Sequence, residues 1–242
     1  MESAVASDLR YTVLRIPAAS PRIVDFVAKF RYTKLAALKA DPGSFYQRYD
    51  VESLHPISVW HDRLTRQRTC LVCVATDGPV PSPEDALLNG EWVGFAATRG
   101  PMSFEEYYCS HEMGQPVPKD PECELRWHVY DLYTAPLHRG HGVAKKLGEG
   151  LIAAVTEETR ALIDGEIRRA RLRLIVNPKS TWLVKGYRDF GFKESGMVTL
   201  AEGLVANGMA ESVAADTNST EQLRSIWETR YGMAMERVID VV

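Results

Sequence analysis

A glycine turn leading into a helix that begins with cations constrains this chain more than any other stretch. It reads His138-Arg139-Gly140-His141-Gly142-Val143-Ala144-Lys145-Lys146-Leu147. The turn stands between two segments of β-type composition, Leu125 to Thr134 and Ala170 to Asn177. In the second, Leu172, Leu174 and Val176 alternate with Arg171 and Arg173. The helix carries Val143, Leu147, Leu151, Ile152 and Val155 along one apolar face. Strand, helix and strand at this spacing form a βαβ unit, so the two strands run parallel with a right-handed crossover. The turn then lies at the carboxyl end of the first strand, where open α/β sheets place their ligands.

The first turn of a helix leaves N–H groups unpaired and is electropositive, which favours carboxylates there. This helix instead has Lys145 and Lys146 at that place. An anion held by the turn amides and both lysines reverses the penalty, so the stretch predicts a phosphate cradle. A nucleoside triphosphate loop needs Gly-x-x-x-x-Gly-Lys-Ser/Thr and a dinucleotide fingerprint needs Gly-x-Gly-x-x-Gly, and neither is present.

Upstream, Tyr11 to Ile16 predicts a strand, and Ser20-Pro21 predicts the start of a helix bearing Ile23, Phe26, Val27 and Phe30, stopped by Asp41-Pro42-Gly43. His55-Pro56 opens a further helix with Ile57, Trp60 and Leu64 on one side. Strands over Thr69 to Thr76 and Trp92 to Arg99 form an antiparallel hairpin whose long connection holds Pro79, Pro81, Pro83 and a turn at Asn89-Gly90. Residues 100–124 read as a long loop in which Glu105, Glu106, Glu112, Asp120, Glu122 and Glu124 outnumber Lys119. After Asn177-Pro178 a short helix reaches Phe190, Gly191 stops it, and Phe192 to Thr199 forms a strand. Residues 200–228 read as a second long loop containing a helix over Glu221 to Trp227, and Met233 to Val241 closes the chain as a strand.

At 242 residues one elaborated domain over 1–242 is expected. A net charge of -3 argues against a nucleic-acid binder, which needs a basic face to displace counterions. No apolar run approaches a membrane span, and Met1-Glu2-Ser3-Ala4 does not open a signal peptide, which predicts a cytoplasmic protein. Cys70, Cys73, Cys109 and Cys123 make no disulfide framework, and Cys70 and Cys73 are expected as buried structural thiols on opposite faces of their strand. No histidine cluster has metal-ligand spacing, so no metal is expected.

Arg139-x-x-Gly142-x-Ala144 follows Leu132-Tyr133-Thr134-Ala135-Pro136, and Asn177, Tyr187 and Gly191-Phe192 come after it in order. In these residues the chain resembles the GNAT superfamily of acetyl-CoA-dependent N-acetyltransferases. The resemblance covers roughly residues 125 to 193, and similarity of Ala37 to Phe45 to many members extends it toward the amino end. Ser180 and Leu183 depart from the commonest residues of the second motif. The resemblance implies an α/β (α+β) fold with a mixed, mostly antiparallel sheet. Helices cover both faces, and a central parallel strand pair splays around CoA at a bulge before Thr134. It implies that Arg139, Gly140, His141, Gly142, Val143, Ala144 and Lys145 hold the CoA pyrophosphate. The pantetheine arm then pairs with backbone near Leu132, Tyr133 and Thr134, and Asn177 joins the cofactor site.

Acetyl transfer to an amine requires a neutral nucleophile, a polarised thioester carbonyl and a proton for the leaving thiolate. His128 falls by register where several family members carry a catalytic Glu or His, and its ordinary pKa suits a general base. Asp131 is a second candidate, on the opposite side of the strand from His128 and Tyr130 unless a bulge intervenes. Tyr187 matches the family's tyrosine general acid. The expected acceptor is a small cationic amine or amine-bearing metabolite drawn to the acidic loops, with a protein lysine or N-terminus as the alternative. A non-catalytic acyl-CoA sensor is the reading from another class. No motif specifies an oligomeric state.

Overall fold

A computed structural model describes residues 9–66, 68–79, 82–108 and 110–242. Met1-Glu2-Ser3-Ala4, Pro81 and Cys109 lie outside the described residues. The chain order is β1 (Arg10–Arg15), α1 (Ile23–Ala40), α2 (Tyr49–Glu52), α3 (Ile57–Thr65), β2 (Arg68–Thr76), α4 (Pro83–Asn89), β3 (Glu91–Met102) and α5 (Phe104–Tyr107). There follow β4 (Glu124–Thr134), α6 (Val143–Ala161), β5 (Arg169–Val176), α7 (Thr181–Asp189), β6 (Lys193–Val198), α8 (Leu200–Ala206), α9 (Glu221–Glu228) and β7 (Gly232–Asp240). The strands form one seven-stranded sheet in the order β1-β2-β3-β4-β5-β7-β6. Every neighbouring pair is antiparallel except β4 and β5, which run parallel.

Period-two alternation divides the strand residues between two cores. On one face Leu71, Cys73, Trp127, Val129, Leu172 and Leu174 pack against Val143, Leu147, Leu151 and Val155 of α6 and Val184 of α7. On the other, Cys70, Val72, Val74, Phe95 and Tyr133 pack against Phe26, Val27 and Phe30 of α1 and Trp60 and Leu64 of α3. Cys70 and Cys73 are thus buried on opposite faces, as their spacing predicts, whereas Cys123 is only half-buried.

Local rules were displaced at several points. The helix expected from Ser20-Pro21 starts at Ile23, because the Ser20 hydroxyl accepts the Arg22 N–H (3.0 Å) and its carbonyl accepts the Ile23 N–H (3.1 Å) in a preceding turn. Ile57 faces solvent at 53% exposure, one helix start away from the Trp60 and Leu64 stripe. Asn89-Gly90 is the end of α4, not a hairpin turn: Ser82 caps that helix and Gly90 has an extended φ of -74°. The two expected long loops contain α5 in the first and α8 with α9 in the second.

β4 carries the decisive irregularity. Phe95 and Ala97 of β3 face Tyr133 and Tyr130, so two steps on β3 correspond to three on β4. Asp131 takes up the extra residue with φ 59°, a left-handed conformation that a short polar residue tolerates. The β4–β5 ladder stops at Val129 and Leu174, while β5 continues pairing with β7 to Val176. Beyond Val129 the parallel strands splay, and among the described residues the backbone of Tyr130 to Thr134 has no strand partner on the β5 side.

Candidate active site

Below the mouth of this gap the chain turns through Pro136–His138 into α6. Gly140 (φ 82°) and Gly142 (φ 76°) are left-handed, and a Cβ built on either meets nothing within 4 Å. Gly142 is the helix N-cap, no side chain caps the first turn, and that turn contains no acid. Its amides are thereby left for an external anion. Val143 is buried in the core and Ala144 is exposed, so the former offers backbone only. The cations do not converge as expected. Lys146 donates to the Tyr11 carbonyl of β1 (3.0 Å), and the exposed Lys145 lies 3.9 Å from Glu149 one turn on. His141 is exposed and its Nδ1 lies 3.0 Å from the Arg139 carbonyl.

Arg139 donates to the Thr134 carbonyl (3.2 Å), lies over the Tyr133 ring and pairs with Asp41, just past α1. That pairing holds the Asp41 carboxyl below its ordinary pKa. Tyr133 itself is a core aromatic stacked near Phe45 and Phe95, and Leu132 packs against the α6 face, so both offer backbone to the gap. Asn177 accepts the Lys179 N–H (3.0 Å) and shapes the turn into α7. Uncapped amides, bare glycine backbone and a splayed strand pair suit a ligand with a pyrophosphate and an amide-bearing arm, which CoA is.

The bulge turns Asp131 toward the α1 face, beside Tyr130 rather than opposite it. Its Oδ1 accepts from Lys34 of α1 at 2.5 Å and from Gln47 at 3.4 Å. Lys34 is 1% exposed, and burial lowers its pKa against the opposing pull of Asp131. His128 is also fully buried, stacked on Tyr130. Arg173 Nε can only donate, so His128 Nδ1 accepts (3.4 Å) and the ring proton sits on Nε2, facing Asn207 Oδ1 at 2.8 Å. Burial first, and the Arg173 cation second, push the His128 pKa well below 6.5. With both nitrogens engaged, this imidazole presents no lone pair to an amine. Tyr187 stands on α7 against the α6-side core, edge-on to Phe192, and burial raises its hydroxyl pKa.

The acids after Arg99 do not form an open cation trap. Glu106 pairs with Arg99 (2.5 Å), Glu112 with Arg230 (2.8 Å), Asp120 with Arg169 and Glu124 with Arg171 (2.9 Å). They fasten residues 103–124 to β3, β5 and the turn before β7, helped by Tyr107, whose hydroxyl donates to Glu236 of β7 (2.8 Å).

A family model described as the acetyltransferase (GNAT) family matches residues 43–192. The chain belongs to that family. This acetyltransferase uses acetyl-CoA as donor for N-acetylation. NAA60 of Arabidopsis thaliana in complex with a bisubstrate analogue is 11% identical with a TM-score of 0.51, covering 96% of this chain and 100% of that one. The same protein with acetyl-CoA gives 12% identity and a TM-score of 0.51, covering 95% and 99%. The yncA protein of Salmonella typhimurium, solved with acetyl-CoA, gives 11% and 0.44 over 96% and 95%. No curated protein matches the chain. Among the described residues no helix of the acetyltransferase is long and apolar enough to cross a membrane.

Sequence reasoning missed Lys34, Gln47, Asn207 and Tyr46. Only Lys34 left a signal: it lies four residues after Phe30, on the apolar stripe of α1. Arg173 carried a comparable one, since an arginine alternating with leucines in a central strand must find buried partners.

Proposed function

We propose that this acetyltransferase acts on a small primary amine, with Tyr187 as the general acid. Its carrying observation is the cover formed by residues 199–231 on the face of the sheet opposite α6. Leu204 and Met209 pack on Tyr130 and Ala97, and Asn207 bonds His128. Met209 Sδ accepts from Gln47 (3.0 Å), the Gly208 carbonyl from Arg68 (3.0 Å), and Glu211 pairs with Arg63 (3.2 Å). A cover fastened to α3, β2, β4 and the 41–48 loop leaves little room for an extended peptide. Four of the six loop acids are engaged by arginines, so acceptor choice rests mainly on size and apolar contact, with the amine as the charge the acceptor needs.

In this reading the amides from Arg139 to Ala144 hold the CoA pyrophosphate, with Lys145 near it. Backbone from Leu132 to Thr134 and the Asn177 turn border the pantetheine arm. Acetyl-CoA supplies a thioester carbonyl. The C–N bond forms as the C–S bond breaks, the Tyr187 hydroxyl gives its proton to the thiolate, and the amine proton leaves to water. Its raised pKa keeps Tyr187 protonated at neutral pH. His128 serves as a positioning residue, holding Asn207 and the cover, and Asp131 fixes the bulge through Lys34. Neither then acts as the base.

Thiol release from acetyl-CoA, followed across small amines and peptides with free N-termini, tests the acceptor. Faster turnover of peptides overturns the small-amine reading, and tight acetyl-CoA binding with no turnover on any acceptor favours a sensor. Tyr187→Phe is expected to lower kcat about 10²-fold while leaving acetyl-CoA affinity within about twofold. An unchanged kcat removes Tyr187 as the acid.

A further inference from the structure

Tyr46 sits between the turn at Pro42–Ser44 and α2, and its ring packs into the small cluster of Tyr130, Ala97, Leu204 and Met209. Its hydroxyl oxygen is buried from water and has no hydrogen-bond partner among the described residues. An orphaned hydroxyl in such a place costs about 1–3 kcal/mol and calls for a group that satisfies it. The fold makes room for this atom: a Cβ on Gly232, at the start of β7, would come within 3.0 Å of it. Tyr46 belongs to the cluster on the α1 face, whereas Tyr187 belongs to the α6 face. Tyr187 nonetheless has Tyr46 as an electrostatic neighbour that disfavours its phenolate, while the neighbour felt by Tyr46 itself is Tyr231. The Tyr46 hydroxyl stands at Gly232, where Ile175 near the end of β5 and Val198 at the end of β6 close on the same point.

We propose that the Tyr46 hydroxyl is a second catalytic group of the transfer site: it accepts a hydrogen bond from the acceptor amine and aims the nitrogen lone pair at the thioester carbonyl, across from Tyr187. This rests on the small-amine reading above. Burial pushes the Tyr46 pKa up to about 12, so it acts as a phenol that orients and not as a base that removes a proton. The division of labour follows from position. Tyr187 on α7 serves the leaving sulfur, and Tyr46 on the acceptor side serves the incoming nitrogen.

Tyr46→Phe and Tyr187→Phe are compared on the full chain with 2-phenylethylamine and putrescine as acceptors, with acetyl-CoA affinity by calorimetry and apo thermal stability alongside. For Tyr46→Phe, kcat/KM for the amine is expected to fall about tenfold or more, one hydrogen bond to substrate, with acetyl-CoA Kd unchanged. Apo Tm should stay level or rise, since an unpartnered hydroxyl is removed. A merely structural Tyr46 would instead lower Tm and leave the ratio of amine KM to acetyl-CoA Kd alone. If Tyr187→Phe loses turnover and Tyr46→Phe keeps amine kcat/KM within about twofold, the Tyr46 role is overturned while the site reading stands. If neither variant changes turnover, or neither amine is acetylated, the site or acceptor reading itself fails and takes the Tyr46 role with it.

Discussion

Around Gly142 the polar groups offered to a ligand belong to the main chain, whereas around Asp131 they belong to side chains drawn from α1, β2, β4 and the 199–231 segment. A site made of amides is specified by the residues that bend the chain, and those residues are neighbours in sequence. A site made of side chains is specified by which distant elements touch, and one missing partner leaves a buried group unsatisfied. The donor side should therefore resist deletions and yield to additions, and the acceptor side the reverse.

Lys34→Met is the sharpest way to break that contrast. It leaves the Asp131 carboxylate buried and unpaired, and unfolding in urea should show a loss of about 3–5 kcal/mol. Lys34→Met with Asp131→Asn removes the stranded charge and should recover much of it. A single variant as stable as the parent would mean that the acceptor side does not depend on this pair. On the donor side, Ala144→Glu adds a carboxylate to the first turn of α6. The helix gains about 0.3–1 kcal/mol from its dipole, while acetyl-CoA binding should weaken by about tenfold or more through repulsion of the pyrophosphate. Calorimetry beside thermal melting reads the two opposite signs, and an unchanged Kd would displace the cradle from Ala144.

His128 has the smallest expected effect and refines the contrast. Its folded pKa lies below the unfolded value of 6.5, so above that pH neither state binds the proton and its contribution is intact. As pH falls below 6.5 the unfolded chain takes up the proton first, and about 1 kcal/mol of stability is lost between pH 6.5 and 5.5. His128→Gln should flatten that part of the curve, whatever its absolute stability. The same variant tests the base: any limb near neutral pH in the kcat/KM profile should persist in it.

The same division explains what could be read from sequence. The βαβ unit, the glycine turn and the parallel β4–β5 pair follow from short-range rules, and the resemblance added the mixed sheet around them. The bulge before Thr134 came from the resemblance, and its place at Asp131 did not show, because an aspartate in a strand has the same local signature whether its φ is -120° or 59°. That one dihedral moves the carboxylate from the α6 face to Lys34. His128 looked like a base because its ordinary pKa suits the task, and only the distant Asn207 and Arg173 reveal an imidazole with both nitrogens engaged. Glu106, Glu112, Asp120 and Glu124 looked unopposed for a similar reason: their arginines come from β3, β5 and the turn before β7.

Arg139 belongs to both sides at once. It bends the cradle with Gly140 and Gly142, and through Asp41 it anchors the loop that ends in Tyr46 and Gln47. A pyrophosphate competing for that guanidinium loosens the anchor. By thermodynamic reciprocity an amine that prefers the loosened loop then favours the donor, and one that prefers the anchored loop expels it. The affinities of the two substrates are thus coupled through a single ion pair.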